Sequence, residues 1–210
     1  MILQNLYESR ESRLNELAPY IGDPNIFISF TEINKLGINP QPKDETTPAG
    51  IYAYPLTTSF YQDILNKTVP YGLYREYFYL FEGRGNIINL GEYTINDLES
   101  DLARLIDHWK LIAPSIDLAA ALVNKYSNEG SSNIPAAKFW SATKGFSLRI
   151  SKNTGRAPYA VWNGVLRRLG YDGIIDPGMG IIHKLEPSQA IFLTKSACNV
   201  IGAWNNNLGY

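Results

Sequence analysis

Leu3, Leu6, Leu14 and Leu17 stand among Glu, Arg and Asn over residues 2–18, and this spacing, stopped before Pro19, predicts an amphipathic helix that covers the body of the fold. Asp23-Pro24-Asn25 makes a turn, after which Ile26 to Phe30 is a short apolar run with polar flanks, as a strand requires. Ile51 to Leu56 is a second such run. Tyr77-Phe78-Tyr79-Leu80-Phe81 and Asn86-Ile87-Ile88-Asn89-Leu90 are two more, and Glu82-Gly83-Arg84-Gly85 between them suits a hairpin. From Asn96 the period changes: Leu98, Leu102, Leu105, Ile106 and Trp109 recur at helical spacing, with Thr94 or Asn96 as N-cap. A second helix follows Pro114, apolar at Leu118, Leu122 and Val123, so the helical segment spans 96–126. Ser127 to Pro135 reads as a polar linker, and Phe139 to Arg156 shows no clean period. Pro158 in a first turn, then Val161, Trp162, Val165, Leu166 and Leu169, with Gly170 just past the end, define a further helix. Gly173–Ile175 and Gln189–Leu193 close the set as strands.

Length and composition narrow the picture. With 210 residues, 45% hydrophobic and 19% charged, the chain suits one domain, 1–210, with enough Ile, Tyr and Trp for a core. A net charge of −1 supplies no general pull on phosphate backbones, so strong non-specific nucleic-acid binding is not expected. Arg149, Lys152, Arg156, Arg167 and Arg168 make 149–168 locally basic, which is either a solvated face or a contact for a dinucleotide pyrophosphate or a nucleic acid. On a helix Arg167 and Arg168 point to different faces. Cys198 is the one cysteine and reads as a small buried hydrophobe, which fits a reducing cytoplasmic setting. No apolar run reaches the ~18 residues of a membrane span, and the N-terminus lacks the pattern of a secretory signal.

Few residues offer chemistry outright. The two histidines, His108 and His183, and one cysteine leave no zinc spacing, and no Gly-x-Ser-x-Gly elbow is present. His108 falls in a helical pattern and reads as a packing or surface residue. His183 lies between glycines and the last strand, where a loop can present it to a cleft. Gly178-Met179-Gly180 is too short for a dinucleotide fingerprint and reads as a turn. The segment from Lys35 to Gly50 is rich in Gly, Pro, Asn and Thr, and its length suits a lid or binding loop.

The order of elements, with Phe27-Ile28-Ser29-Phe30-Thr31, Gly50-Ile51-Tyr52-Ala53-Tyr54 and the final Gln189 strand, resembles ADP-ribosyltransferase-like domains, in the diphtheria-toxin-like branch with bacterial and bacteriophage members. The resemblance implies an α+β fold with a split antiparallel sheet, two small packed sheets with a nicotinamide cleft between them, and NAD as substrate. It implies that Ser29, standing where the branch has His, and Thr31 contact the cofactor. Tyr52, Tyr54 and, from the following helix, Tyr61 are the implied stacking residues, although alternation along the strand leaves one of the first two free to be plain core. Gln189 falls where the family places a carboxylate.

Cleaving a nicotinamide–ribose bond creates a cation, which a nearby carboxylate stabilises while aromatic faces hold the flat leaving group. Gln can hydrogen-bond a ribose hydroxyl but carries no charge. Asp172, Asp176 and Glu186 are therefore the reserve carboxylates, Glu186 foremost, and Tyr-Asp-Gly at Asp172 also reads as an ordinary turn. Two functions follow from the resemblance: an NAD-dependent ADP-ribosyltransferase acting on a protein or nucleic-acid acceptor, or a catalytically silent module that keeps the fold to bind a partner, in a phage particle or elsewhere.

Overall fold

The alternating and helical patterns condense into a mixed α+β arrangement. The computed structural model describes residues 15–31, 36–37, 47–66, 77–109, 115–128, 133–182 and 188–205. Among the described residues seven strands form one sheet: β1 (Ile26–Thr31), β2 (Ile51–Pro55), β3 (Tyr77–Gly83), β4 (Ile87–Asn89), β5 (Gly173–Asp176), β6 (Gln189–Phe192) and β7 (Cys198–Asn205). The helices are α1 (Thr58–Asn66), α2 (Ile95–Trp109), α3 (Ile116–Ser127), α4 (Pro135–Thr154) and α5 (Pro158–Arg168). Of the expected N-terminal helix over 2–18, residues 15–17 are helical and run into a tight turn, Ala18–Tyr20; the rest lies outside the described residues.

The strand order is β4-β5-β6-β2-β1-β3-β7. The sheet expected as two antiparallel units is instead a single hydrogen-bonded ladder of mixed sense, because β4 pairs with β5 in parallel, Ile88 opposite Ile174. Its thinnest joint is β1 with β2, paired through Phe27 with Pro55 and Ile28 with Tyr54. The expected hairpin of β3 and β4 does not form. β3 pairs along its length with β1 and β7. Gly85, at φ 92, redirects the chain, and the Asn86 N–H donates to the Asp172 carboxylate (3.0 Å) while the Asp172 N–H donates to the Asn86 carbonyl (2.8 Å), which delivers β4 to β5.

Both faces of the sheet are covered. On one face, Ile88, Ile174, Ile191 and Leu193 pack with Leu98, Leu105, Val123, Phe139, Phe146, Trp162 and Val165 of α2 to α5. Farther along that face, Ile26, Ile28, Phe30, Tyr54, Phe78 and Leu80 pack with Phe60 and Ile64 of α1 and with Leu17. The opposite face gathers Phe27, Ile51, Ala53, Phe81, Ala190 and Phe192 into a separate cluster. Gly83 is tight there: a Cβ would meet Phe192, Phe27 and Ile87 at 2.9 to 3.0 Å.

The stretch without clean period, Phe139 to Arg156, is mostly the 20-residue α4, started by Pro135 and closed by Gly155 at φ 69. Its buried positions include Ala136, Ala142, Thr143, Gly145, Ser147 and Ser151, so small and hydroxylic residues fill a broad buried face where an apolar stripe was sought. The Tyr126 ring of α3 occupies the space a Cβ on Gly145 would need. Thr143 Oγ1 accepts the Trp162 indole N–H (3.1 Å), and Ser147 Oγ donates to the Thr143 carbonyl (2.7 Å), so the hydroxyls are satisfied inside the helical layer. At the start of α2, Thr94 is the cap: its Oγ1 accepts the Asp97 N–H (3.3 Å) while Asp97 Oδ2 accepts the Thr94 N–H (2.8 Å). The expected linker, Ser127 to Pro135, begins inside α3, whose last residue is Ser127.

Candidate functional site

Gln189 opens β6 opposite Asp176, the last residue of β5. Alternation fixes their side. Ala190 and Phe192 belong to the cluster on the far face, so Gln189 shares the helix-covered face with Ile191, and Asp176 shares it with Ile174. Both side chains are buried, Gln189 at 7% and Asp176 at 3% exposure. Their electrostatic situations differ. Asp176 Oδ1 accepts the Met179 N–H (2.6 Å), and Oδ2 accepts those of Ile181 (2.6 Å) and Ile182 (2.9 Å), so this carboxylate is spent on folding its own loop. Gln189 Oε1 is buried and has no hydrogen-bond partner, the one such side-chain atom among the described residues. A buried amide oxygen left so costs about 1–3 kcal/mol.

The tyrosines lie on the same face as Gln189. Tyr52 is opposite Ile191, packs against the α2–α5 layer, and donates its hydroxyl to the Pro48 carbonyl at 2.5 Å. Tyr54 is stacked on Phe60 of α1, ring centroids 5.0 Å apart and planes 13° from parallel. One ring face of Tyr54 is thus filled by the chain's own aromatic residue. Tyr61 packs at the edge of the same α1 cluster, half-buried.

Ser29 and Thr31 are not brought to these groups. They alternate with Ile28 and Phe30, which sit in the α1 cluster with Tyr54, and they share the opposite face with Phe27. Ser29 Oγ donates to the Tyr52 carbonyl (2.7 Å), a contact that ties β1 to β2. What β1 turns toward Tyr54 is Ile26, Ile28 and Phe30, an apolar surface. One residue of register separates the expected polar wall from the observed apolar one.

Asp172 serves as a turn residue, bound to the Asn86 N–H as above, and a Cβ on Gly85 would run into its carboxylate. His183 and Glu186 lie outside the described residues. So does most of the long loop before β2. Its end is fixed: the Ala49 N–H donates to the Tyr159 carbonyl (3.0 Å), and Asn163 Nδ2 donates to the carbonyls of Ala49 (2.7 Å) and Leu193 (2.9 Å). His108 Nδ1 lies 2.7 Å from the Arg104 carbonyl on its own helix.

A second polar centre escaped the sequence reading. Asp101, 2% exposed, accepts the hydroxyls of Tyr93 (2.8 Å) and Tyr171 (2.6 Å) and an N–H of Arg104 (3.2 Å). Burial foremost drives both phenols well above the ordinary tyrosine range; for Tyr93 the Asp101 charge comes next and then its hydrogen bond, and for Tyr171 the hydrogen bond to Asp101 comes next and then its charge. The signal was a charged residue on the apolar stripe of α2, three after Leu98 and four before Leu105. Among the described residues no cluster of three or more His, Cys, Asp or Glu could hold a metal, and no helix is long and apolar enough to cross a membrane.

The fold and this arrangement define a mixed α+β protein with a buried, unpartnered amide oxygen at the start of one central strand. No family model matches the chain, and neither the curated proteins nor the solved structures contain a match.

Proposed function

We propose that the chain is a catalytically silent binding module of the ADP-ribosyltransferase-like type, which takes NAD or a ligand with the same hydroxyl and amide groups and does not cleave it. The observation that carries this reading is Gln189, buried with a free Oε1 beside an Asp176 whose carboxylate is already engaged. A free acceptor in a buried position suits a ligand N–H or O–H, for which a ribose hydroxyl is a ready donor. A neutral amide does not supply the negative charge that a nicotinamide–ribose cleavage needs, and losing one such stabiliser commonly costs ~10²–10³ in rate. The fit to NAD is partial: Gln189 and Tyr52 suit the ribose and a ring edge, whereas Phe60 covers Tyr54 and the β1 wall is apolar.

The test is incubation of the whole chain with NAD labelled in the nicotinamide and in the adenylate, with a cell lysate as acceptor. Retention of NAD on the protein with no nicotinamide release and no transferred label supports the silent module. Release or transfer that disappears in Glu186→Gln makes the chain an active NAD-dependent ADP-ribosyltransferase, and failure to retain NAD at all overturns the ligand assignment.

A further inference from the structure

Where α5 ends, the chain turns through Gly170 at φ 88 and leaves a depression of about 460 Å³ lined by Gly164, Arg167, Arg168, Gly170, Tyr171 and Asp172. Adjacent residues on a helix diverge by about 100°, which argues for separate roles of Arg167 and Arg168. The turn at Gly170 closes the depression from the other side, so both arginines line it. Neither has a side-chain hydrogen bond or ion pair among the described residues. A third guanidinium is close: Arg104 Nη2 lies 3.3 Å from where a Cβ on Gly170 would sit. That group is held in place, since Arg104 Nη1 donates to Asp101, and Asp101 is fixed by the hydroxyls of Tyr93 and Tyr171. The two glycines leave main chain open to a ligand, and nothing lies within 4 Å of a Cβ built on Gly164.

We propose that this depression binds a small phosphate-bearing ligand of nucleotide size, its phosphate taken by Arg167 and Arg168 with Arg104 at the Gly170 rim. Guanidinium forks match phosphate oxygens in geometry as well as charge. The volume falls in the range of small-ligand sites, about 300–1,000 Å³. The basic residues of the last helical turn also complement the helix dipole, but that role asks for no cavity and no third guanidinium from α2. Asp172, with Oδ2 on the Asn86 N–H, borders the depression and suits a ligand hydroxyl or amino donor beside the phosphate.

Inorganic pyrophosphate is the probe, titrated into the whole chain at low salt while amide shifts of Gly164, Gly170 and Tyr171 are followed by NMR. Saturable shifts at these amides are expected, weakened at least about tenfold in the Arg167→Gln/Arg168→Gln double variant and by added salt. Gly164→Glu, whose Cβ would meet nothing within 4 Å, is expected to abolish them with the fold intact. Arg149→Gln, on α4 and away from the depression, is expected to leave them unchanged. A mononucleotide is expected to shift the same amides at lower concentration than pyrophosphate. Absent or non-saturating shifts, or shifts that survive the double variant, overturn the proposal, as does binding of a long single-stranded oligonucleotide with no binding of either small ligand. Pyrophosphate does not report on Gln189, so the outcome is separate from that of the NAD experiment.

Discussion

Asp101 and Gln189 are both polar, both nearly inaccessible, and both on the helix-covered side of the sheet, yet the molecule treats them in opposite ways. Asp101 has three donors from three parts of the chain, Tyr93, Arg104 and Tyr171. Gln189 Oε1 has none. A buried polar group whose partners are all internal joins elements together: Asp101 ties α2 to the segment before it and to the turn that leads into β5. An unpartnered one contributes nothing to folding and weakens it, which is the pattern of a position kept for contact with something else. The contrast extends to the two described carboxylates that the sequence offers as reserve acids. Asp176 and Asp172 are bound to backbone amides, and each behaves more like Asp101 than like a free catalytic group.

Removing Asp101 is expected to have the largest effect. Asp101→Leu strands the buried Tyr93 hydroxyl and the half-buried Tyr171 hydroxyl, while Arg104, 44% exposed, keeps access to water, and the expected loss is about 2–4 kcal/mol, read as a lower urea midpoint with unchanged slope. A loss under about 1 kcal/mol would place Asp101 with Gln189 and erase the contrast. Tyr171→Phe comes next, at about 1–2 kcal/mol. Because burial raises the Tyr171 phenol above its unfolded value, its contribution is complete below about pH 10 and fades as pH climbs from there toward the raised folded value. Stability of the native chain should therefore fall over the alkaline range, and less steeply in Tyr171→Phe. Denaturant midpoints measured at intervals from pH 8 to pH 11 check the slope.

Gln189→Leu should leave stability unchanged or raise it, by up to about 1–3 kcal/mol, since Oε1 has no hydrogen bond to lose and the cost of burying it is removed. A loss comparable to that of Asp101→Leu would make Gln189 structural. The smallest effect is at Cys198, whose thiol burial pushes up to about 12. At pH 8 its alkylation should lag far behind that of a free thiol, followed by mass spectrometry, and rapid modification would mean that the β7 edge opens readily.

Much of this fold is legible in the chain because local signals and burial agree. The α5 helix is marked at both ends by Pro158 and Gly170, and Thr94 with Asp97 announces the start of α2. The α4 helix is obscured by the small and hydroxylic residues that let it pack deeply between its neighbours. The β3–β4 pairing misleads because the turn between them carries hairpin residues, while the partner that redirects it, Asp172, lies 86 positions away. The site is harder still. β1 is covered on both faces, so Ile28 and Ser29 both sit in buried surroundings, and composition does not say which faces the tyrosines. Only the register with β2, Ile28 opposite Tyr54, decides it. That Gln189 Oε1 lacks a partner is equally invisible in sequence, because it depends on which N–H and O–H groups the fold brings near it.

Calorimetric titration of NAD into the wild-type chain and into Gln189→Leu decides whether the buried amide oxygen serves a ligand. Saturable binding to the wild type, weakened at least about fivefold in the variant, which corresponds to roughly 1 kcal/mol for one hydrogen bond lost in a buried site, is the predicted result. Equal affinities, or no heat with either protein, would contradict the account and leave the unpartnered amide at Gln189 without a ligand role.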